Sequence, residues 1–299
     1  MTQGKAEAVL SEAIAHHRAG RLAAAEDTYR AVLDLAPEHA DALHLLGVTA
    51  YQRGRPADAL EAIGRALALD PDFPQAHNNI ALVLQALGHL DAAERHGLGA
   101  IALKPDYAEA HTNLGNILKD HGRLEEAETC HRRALELRPD YAEAMTNLGA
   151  VLEKRGQSAA AIARHREALA LRPGLADAHN NLGISLQAIG RNEEAETCFE
   201  RTLALDPDYP LAHWNRGLLR LAKGDLDAGW PEYAWRFQGP QMLKRRRPRV
   251  PEWRGEGLPG KRLLVWREQG VGDELMFASC YPDLIRHAET EGGRTVIEC

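Results

Sequence analysis

Residues 106–139 read DYAEAHTNLGNILKDHGRLEEAETCHRRALELRP, and residues 140–173 read DYAEAMTNLGAVLEKRGQSAAAIARHREALALRP. Both stretches have one layout. A first helical pattern ends at a glycine (Gly122, Gly156), a second follows, and a proline closes it (Pro139, Pro173). Glycine takes the left-handed backbone conformation that ends a helix. Proline offers no N–H and disfavours helix in the residue before it, so it stops the second helix. Each stretch therefore reads as a pair of helices.

The layout recurs in both directions at a step of 34 residues. Prolines keep it at Pro37, Pro71, Pro105, Pro139, Pro173 and Pro207. Glycines keep it at Gly20, Gly54, Gly88, Gly122, Gly156, Gly190 and Gly224, and alanines at Ala25, Ala59, Ala93, Ala127, Ala161 and Ala195. The alanines, with Gly47, Gly115, Gly149, Gly183 and Gly217 on the preceding helix, let two helices approach closely. Larger residues there overpack, at about 1–3 kcal/mol each. Leu46, Leu114, Leu148 and Leu182 supply the apolar stripe. Gly97 and Gly99 fall inside the second helix of the third unit, at about 1 kcal/mol each relative to Ala, which predicts an interrupted, locally soft helix. After Gly224 the pattern decays. Gly229 replaces the alanine, and DAGWPEYAWRF brings Trp230, Tyr233, Trp235 and Phe237, as in a modified unit that caps the stack.

The composition agrees. Of 299 residues, 44% are apolar and 26% charged, as in a folded protein, and only 5% are aromatic, which argues against a β-sandwich. A net charge of -7 argues against a general nucleic-acid binder. No apolar run has the length of a membrane span, and MTQGKAEAVLSEAIAHH lacks the apolar core of a secretion signal. Cys130, Cys198, Cys280 and Cys299 form no C-x-x-C pair and read as reduced thiols of a cytoplasmic protein. No metal site and no cofactor are expected.

These units resemble the tetratricopeptide repeats. The resemblance runs from Ala6 to Tyr209 as six full units. It implies an all-α fold: a right-handed superhelix, or α-solenoid, whose stability comes from stacking and whose inner face is concave. The expected organisation is repeats over 6–209, a modified seventh unit over 210–237, a linker over 238–260, and a separate segment over 261–299.

Asn79, Asn113, Asn147, Asn181 and Asn215 recur on the first helix of their units. Asparagine competes for backbone hydrogen bonds and is a poor mid-helix residue, so five in register need a reason. A carboxamide donates and accepts at once. A column of them can hold the main chain of an extended peptide without reading its side chains. They can equally bond between adjacent units and hold the superhelix. The repeat pattern A-x-x-N-L-G-x-x-L-x-x-x-G-x-x-E-E-A-E is similar to that of the O-linked N-acetylglucosamine transferases. That resemblance implies that the five asparagines line the inner face and grip substrate backbone. Ser11 and Leu45 stand in the equivalent places of the first two units, so the groove is expected to begin at the third. His77, His111, His179 and His213 recur two residues before ladder positions. They are too far apart to share a metal ion and read as packing residues. Protein or peptide segments are the expected partners. Self-association is a further expectation, with the helix around Ala6–Ala15 as candidate.

From Gln238 the helical period is lost. GPQMLKRRRPRVPEWRGEGLPG reads as a linker, and its Lys244, Arg245, Arg246, Arg247 and Arg249 as solvated charges. Arg262–Arg267 reads as a strand, Glu268–Asp273 as a glycine turn, Asp273–Ala288 as a helix and Thr295–Glu298 as a second strand. Together they make a truncated, Rossmann-like β-α-β unit. Gly270 and Gly272 before a helix N-terminus can face an anion, or can simply make a tight turn with Asp273 as N-cap. GKRLLVWREQGVGDELMFASCYPDL resembles the opening of heptosyltransferase-like glycosyltransferase domains in bacterial repeat-fused proteins. That resemblance implies a nucleotide-sugar in a longer form, with Asp273 as the general base. On this reading the chain is a fragment or truncated product, inactive alone, whose repeats are the substrate-recruiting arm of a bacterial transferase. A scaffold without peptide readout is the alternative.

Overall fold

In the computed structural model of the chain, the described residues are 2–238, 262–266, 281–292 and 294–298. They fall into two units, Met1–Tyr233 and Ala234–Cys299. The first is a run of helix pairs: α1 (Thr2–Arg18) with α2 (Leu22–Leu35), α3 (Ala40–Gln52) with α4 (Pro56–Leu69), and α5 (Pro74–Ala86) with α6 (Leu90–Leu103). Next come α7 (Ala108–Asp120) with α8 (Leu124–Leu137), α9 (Ala142–Lys154) with α10 (Ser158–Leu171), and α11 (Ala176–Ala188) with α12 (Asn192–Leu205). The last pair is α13 (Pro210–Ala222) with α14 (Leu226–Tyr233). Each pair turns on a glycine of positive φ, +79° at Gly122. There the Arg123 N–H reaches back to the Leu118 carbonyl at 2.9 Å, closing α7.

The spacing of small residues translates directly into packing. The six register alanines, from Ala25 to Ala195, are all fully buried. Opposite them, Gly47, Gly115, Gly149 and Gly183 each receive a large side chain from the partner helix, and Gly217 receives the backbone of the last helix at Tyr233. A methyl on Gly115 would fall 2.7 Å from His131 Cε1, and one on Gly183 would fall 2.5 Å from Phe199 Cε1. Gly149 meets the His165 ring in the same way. The third unit carries small residues on both sides, Ala81 and Gly97. The expected interruption does not occur: α6 runs unbroken from Leu90 to Leu103. Leu114 of the next unit fills the space, its Cδ1 lying 3.2 Å from where a Gly97 Cβ would be. Packing outweighs the helix propensity of two glycines.

Ion pairs join successive units. Glu26, 2% exposed, accepts from Arg53 and Arg55 of the next unit and from Arg30 on its own helix at 2.5 Å. Burial alone would raise its pKa, but the guanidinium groups of Arg55, Arg53 and Arg30 outweigh that and hold it below the usual range. Glu94 with Arg123 (2.6 Å), Glu128 with Arg155, and Glu196 with Lys223 (2.5 Å) repeat the arrangement along the stack. In the last pair Gly229 stands in the alanine register because Leu221 occupies the space, 2.7 Å from a would-be Cβ. On α1, Ala6, Leu10 and Ala13 are buried in the cluster that α1 forms with α2.

The second unit holds a 3-10 turn (Ala234–Phe237), strand β1 (Arg262–Trp266), helix α15 (Tyr281–Thr290) and strand β2 (Arg294–Glu298). The strands pair in parallel, from Arg262 opposite Arg294 to Trp266 opposite Glu298. Parallel strands require a crossover connection, and α15 lies within it. Asp273, Gly270 and Gly272 lie outside the described residues, as do the expected linker residues from 239 on and their basic run.

Candidate protein-binding face

The first helices of successive pairs touch one another from α3 to α13, and no comparable contact joins successive second helices. The first helices therefore lie where the repeat distance is shorter, on the inner face. The residues left at least partly exposed on α7 are Glu109, Asn113, Asn116, Lys119 and Asp120; on α9 they are Glu143, Asn147, Ala150, Glu153 and Lys154. That spacing is one stripe of an α-helix. Asn113 and Asn147 sit in the middle of their stripes.

Side chains on successive inner helices meet at a step of 35 residues, one more than the repeat. Asn79 Nδ2 donates to His44 Nε2 at 2.8 Å, Asn113 Nδ2 to Asn78 Oδ1 at 2.9 Å, and Asn215 Nδ2 to Asn180 Oδ1 at 3.2 Å. His44 can accept because burial pushes its imidazole down to about 4 and keeps it neutral. Asn147 and Asn181 lie one step beyond Thr112 and Thr146. Those threonines turn their hydroxyls to their own helix, onto the Ala108 carbonyl at 3.0 Å and the Ala142 carbonyl at 2.9 Å. Among the described residues Asn147 is left with no hydrogen bond, and Asn181 accepts only a long one, 3.4 Å, from Asn180. The five asparagines thus divide. Three are tied to the preceding unit, with Asn215 only 9% exposed, and two consecutive ones keep amide groups to offer.

A tetratricopeptide repeat family model matches residues 72–140, 106–174 and 140–208, and a second tetratricopeptide repeat model matches residues 16–83. The chain belongs to the tetratricopeptide repeat (TPR) family. It is similar to the protein FlbA of Caulobacter vibrioides, 40% identical over 74 residues, which are 24% of this chain and 12% of FlbA. The chain thus matches only a small part of that relative's length. Among solved structures, a TPR protein from Parabacteroides merdae has a TM-score of 0.64 at 17% identity over 77% of this chain and 91% of that one. A chain of the APC/C hetero-tetramer Cut9–Hcn1 has a TM-score of 0.67 at 18% identity, over 72% of this chain and 42% of that one. At these identities the likeness concerns the fold. The TPR stack is a protein–protein interaction module.

The recurring histidines of the TPR stack have structural roles. Each of His77, His111, His179 and His213 places Nε2 at 2.8–3.0 Å from the carbonyl of the proline six residues earlier, which ties the first helix to the end of the preceding unit. His131 and His165 are fully buried, with neither ring nitrogen hydrogen-bonded. They fill the aromatic register position of Tyr29 and Phe199, a role the spacing would have revealed. Among the described residues no group of three or more His, Cys, Asp or Glu side chains can hold a metal ion, and no helix is long and apolar enough to cross a membrane. Burial pushes the Cys130 thiol up to about 11 and also raises Cys198, so neither is primed as a nucleophile.

Proposed function

We propose that the TPR stack binds extended segments of other proteins along its inner face, gripping their main chain through Asn147 and Asn181. The observation that carries this is that the side-chain amide N–H groups of these two residues, on adjacent inner helices, donate to nothing in the preceding unit, because the 35-residue step meets threonine. Asn79, Asn113 and Asn215 mainly couple neighbouring units. Each neutral hydrogen bond contributes about 0.5–1.5 kcal/mol, less the entropy of ordering the segment, so binding is weak and broad. The test compares Asn147→Ala/Asn181→Ala with Asn113→Ala/Asn215→Ala, using a terminally blocked peptide of Ser, Ala and Thr. The first pair loses about tenfold in affinity with its melting temperature unchanged; the second melts lower. The reverse pattern overturns the assignment.

A second reading concerns residues 261–299. In it they open a nucleotide-sugar-dependent glycosyltransferase domain of Rossmann-like build, for which the stack recruits protein acceptors. The parallel pairing of β1 with β2 supports this, because parallel sheets are built from β-α-β units that bind ligands beyond the carboxyl ends of their strands. Gly270, Gly272 and Asp273 follow β1 in sequence. The longest natural form is assayed with nucleotide-sugars beside an Asp273→Ala control. Equal turnover by both removes Asp273 as the base.

A further inference from the structure

We infer that Lys119 and Lys154 make the middle of the inner face a receptor for an acidic side chain of the bound segment. This rests on the reading that an extended segment lies there. The step of 35 residues that sets Gln85 against Asp120 at 2.6 Å is the one that relates Lys119 to Lys154. One unit along, a neutral–acid contact has become a pair of like charges. Lys119 is only partly exposed, and among the described residues neither lysine has an ion-pair partner. That sets them apart on the inner helices from α3 to α13, where the other two cations, Arg216 and Arg220, both meet carboxylates, Glu232 and Glu196.

The nearby acids on these helices pair with neither lysine, although Glu153 Oε2 is buried with no hydrogen-bond partner of its own. Gln85 donates to Asp120, and Glu153 accepts from the Ser158 hydroxyl at 3.0 Å. The Asn116 carbonyl oxygen, one turn before Lys119, is buried without a hydrogen-bond partner. Burial, together with the Lys154 charge and against Asp120, lowers the Lys119 pKa, as expected of a cation lacking a counter-ion. A carboxylate arriving here accepts from both ammonium groups, in charge-assisted bonds about twice as strong as neutral ones, while the Asn116 oxygen can accept from a main-chain N–H of the segment. The net charge of -7 disfavours a polyanion, so the fitting partner is one or two acidic residues in an otherwise neutral stretch.

The experiment uses the full chain and two blocked peptides, Ser-Ala-Thr-Ala-Glu-Asp-Ala-Thr-Ala-Ser and its Gln-Asn counterpart. The expected result is about tenfold tighter binding of the acidic peptide at low salt, with a gap that narrows as salt rises. In Lys119→Gln/Lys154→Gln the two peptides bind alike, at the level of the neutral one, and in Lys119→Glu/Lys154→Glu the preference reverses. Equal binding of the two peptides by the unaltered chain, or a preference that survives Lys119→Gln/Lys154→Gln, overturns this inference alone. Binding of neither peptide overturns it together with the extended-segment reading. Melting temperatures within about 2 °C of the parent show that the variants are folded.

Discussion

Replacing His131 and His165 by phenylalanine should stabilise the protein and remove part of its sensitivity to acid. Both imidazoles are fully buried, with no hydrogen bond at either nitrogen. Burial, with Lys119 adding repulsion at His131, pushes them down to about 3 and about 4, from an ordinary value of 6.5. The sign follows from linkage. The folded state keeps both rings neutral, while the unfolded chain binds protons below pH 6.5, so stability is greatest above that pH and falls towards the folded values. At 1.36 kcal/mol per pH unit, the fall from pH 6.5 to pH 5 is about 2 kcal/mol per ring, or about 4 kcal/mol together. The phenyl ring suits the slot, since Phe199 fills it in the sixth unit against Gly183. At neutral pH, removing unsatisfied nitrogens adds about 1–3 kcal/mol per site, less any strain from the larger ring. Urea unfolding followed by circular dichroism at pH 8 and pH 5 is the assay. The variant's advantage should widen by about 4 kcal/mol on acidification, because His44 and the other titrating groups remain in both proteins. An advantage that does not change with pH would refute the buried-neutral account of these rings.

Glu26→Gln should cost about 3 kcal/mol, because it leaves Arg30, Arg53 and Arg55 facing a buried neutral group, and thermal melting would detect the loss. A change below about 0.5 kcal/mol would place that cluster with ordinary surface pairs. Alkylation at pH 8, followed by peptide mapping, should find Cys130 modified about a hundredfold more slowly than a free thiol, since its pKa has risen from 9.0 to about 11. Labelling at the free-thiol rate would show that the second helix of the fourth unit opens readily.

The fold was legible because it is punctuated: a glycine and a proline in every 34 residues leave little choice of helix boundary. The ladder was legible as a column but not as a division. The deciding residue is not the asparagine but the one 35 positions earlier, asparagine or histidine for Asn79, Asn113 and Asn215, threonine for Asn147 and Asn181. Asn78-Asn79 and Asn180-Asn181 against Thr112-Asn113 and Thr146-Asn147 carry that signal, but the contact step differs from the repeat step because the solenoid curves. Gly97 and Gly99 misled for a related reason: local propensity marked a weak helix, and a leucine from the next unit fills the gap. Lys119 and Lys154 gave no sequence signal, since an unpaired lysine is recognised only once the pairs around it are known.

The most direct test of the central claim is a nuclear magnetic resonance titration that follows the side-chain amides of asparagine-labelled protein with the blocked Ser-Ala-Thr peptide. The account predicts shifts concentrated at Asn147 and Asn181, with Asn79, Asn113 and Asn215 nearly still. Shifts spread evenly over all five, or confined to the three tied ones, would contradict it.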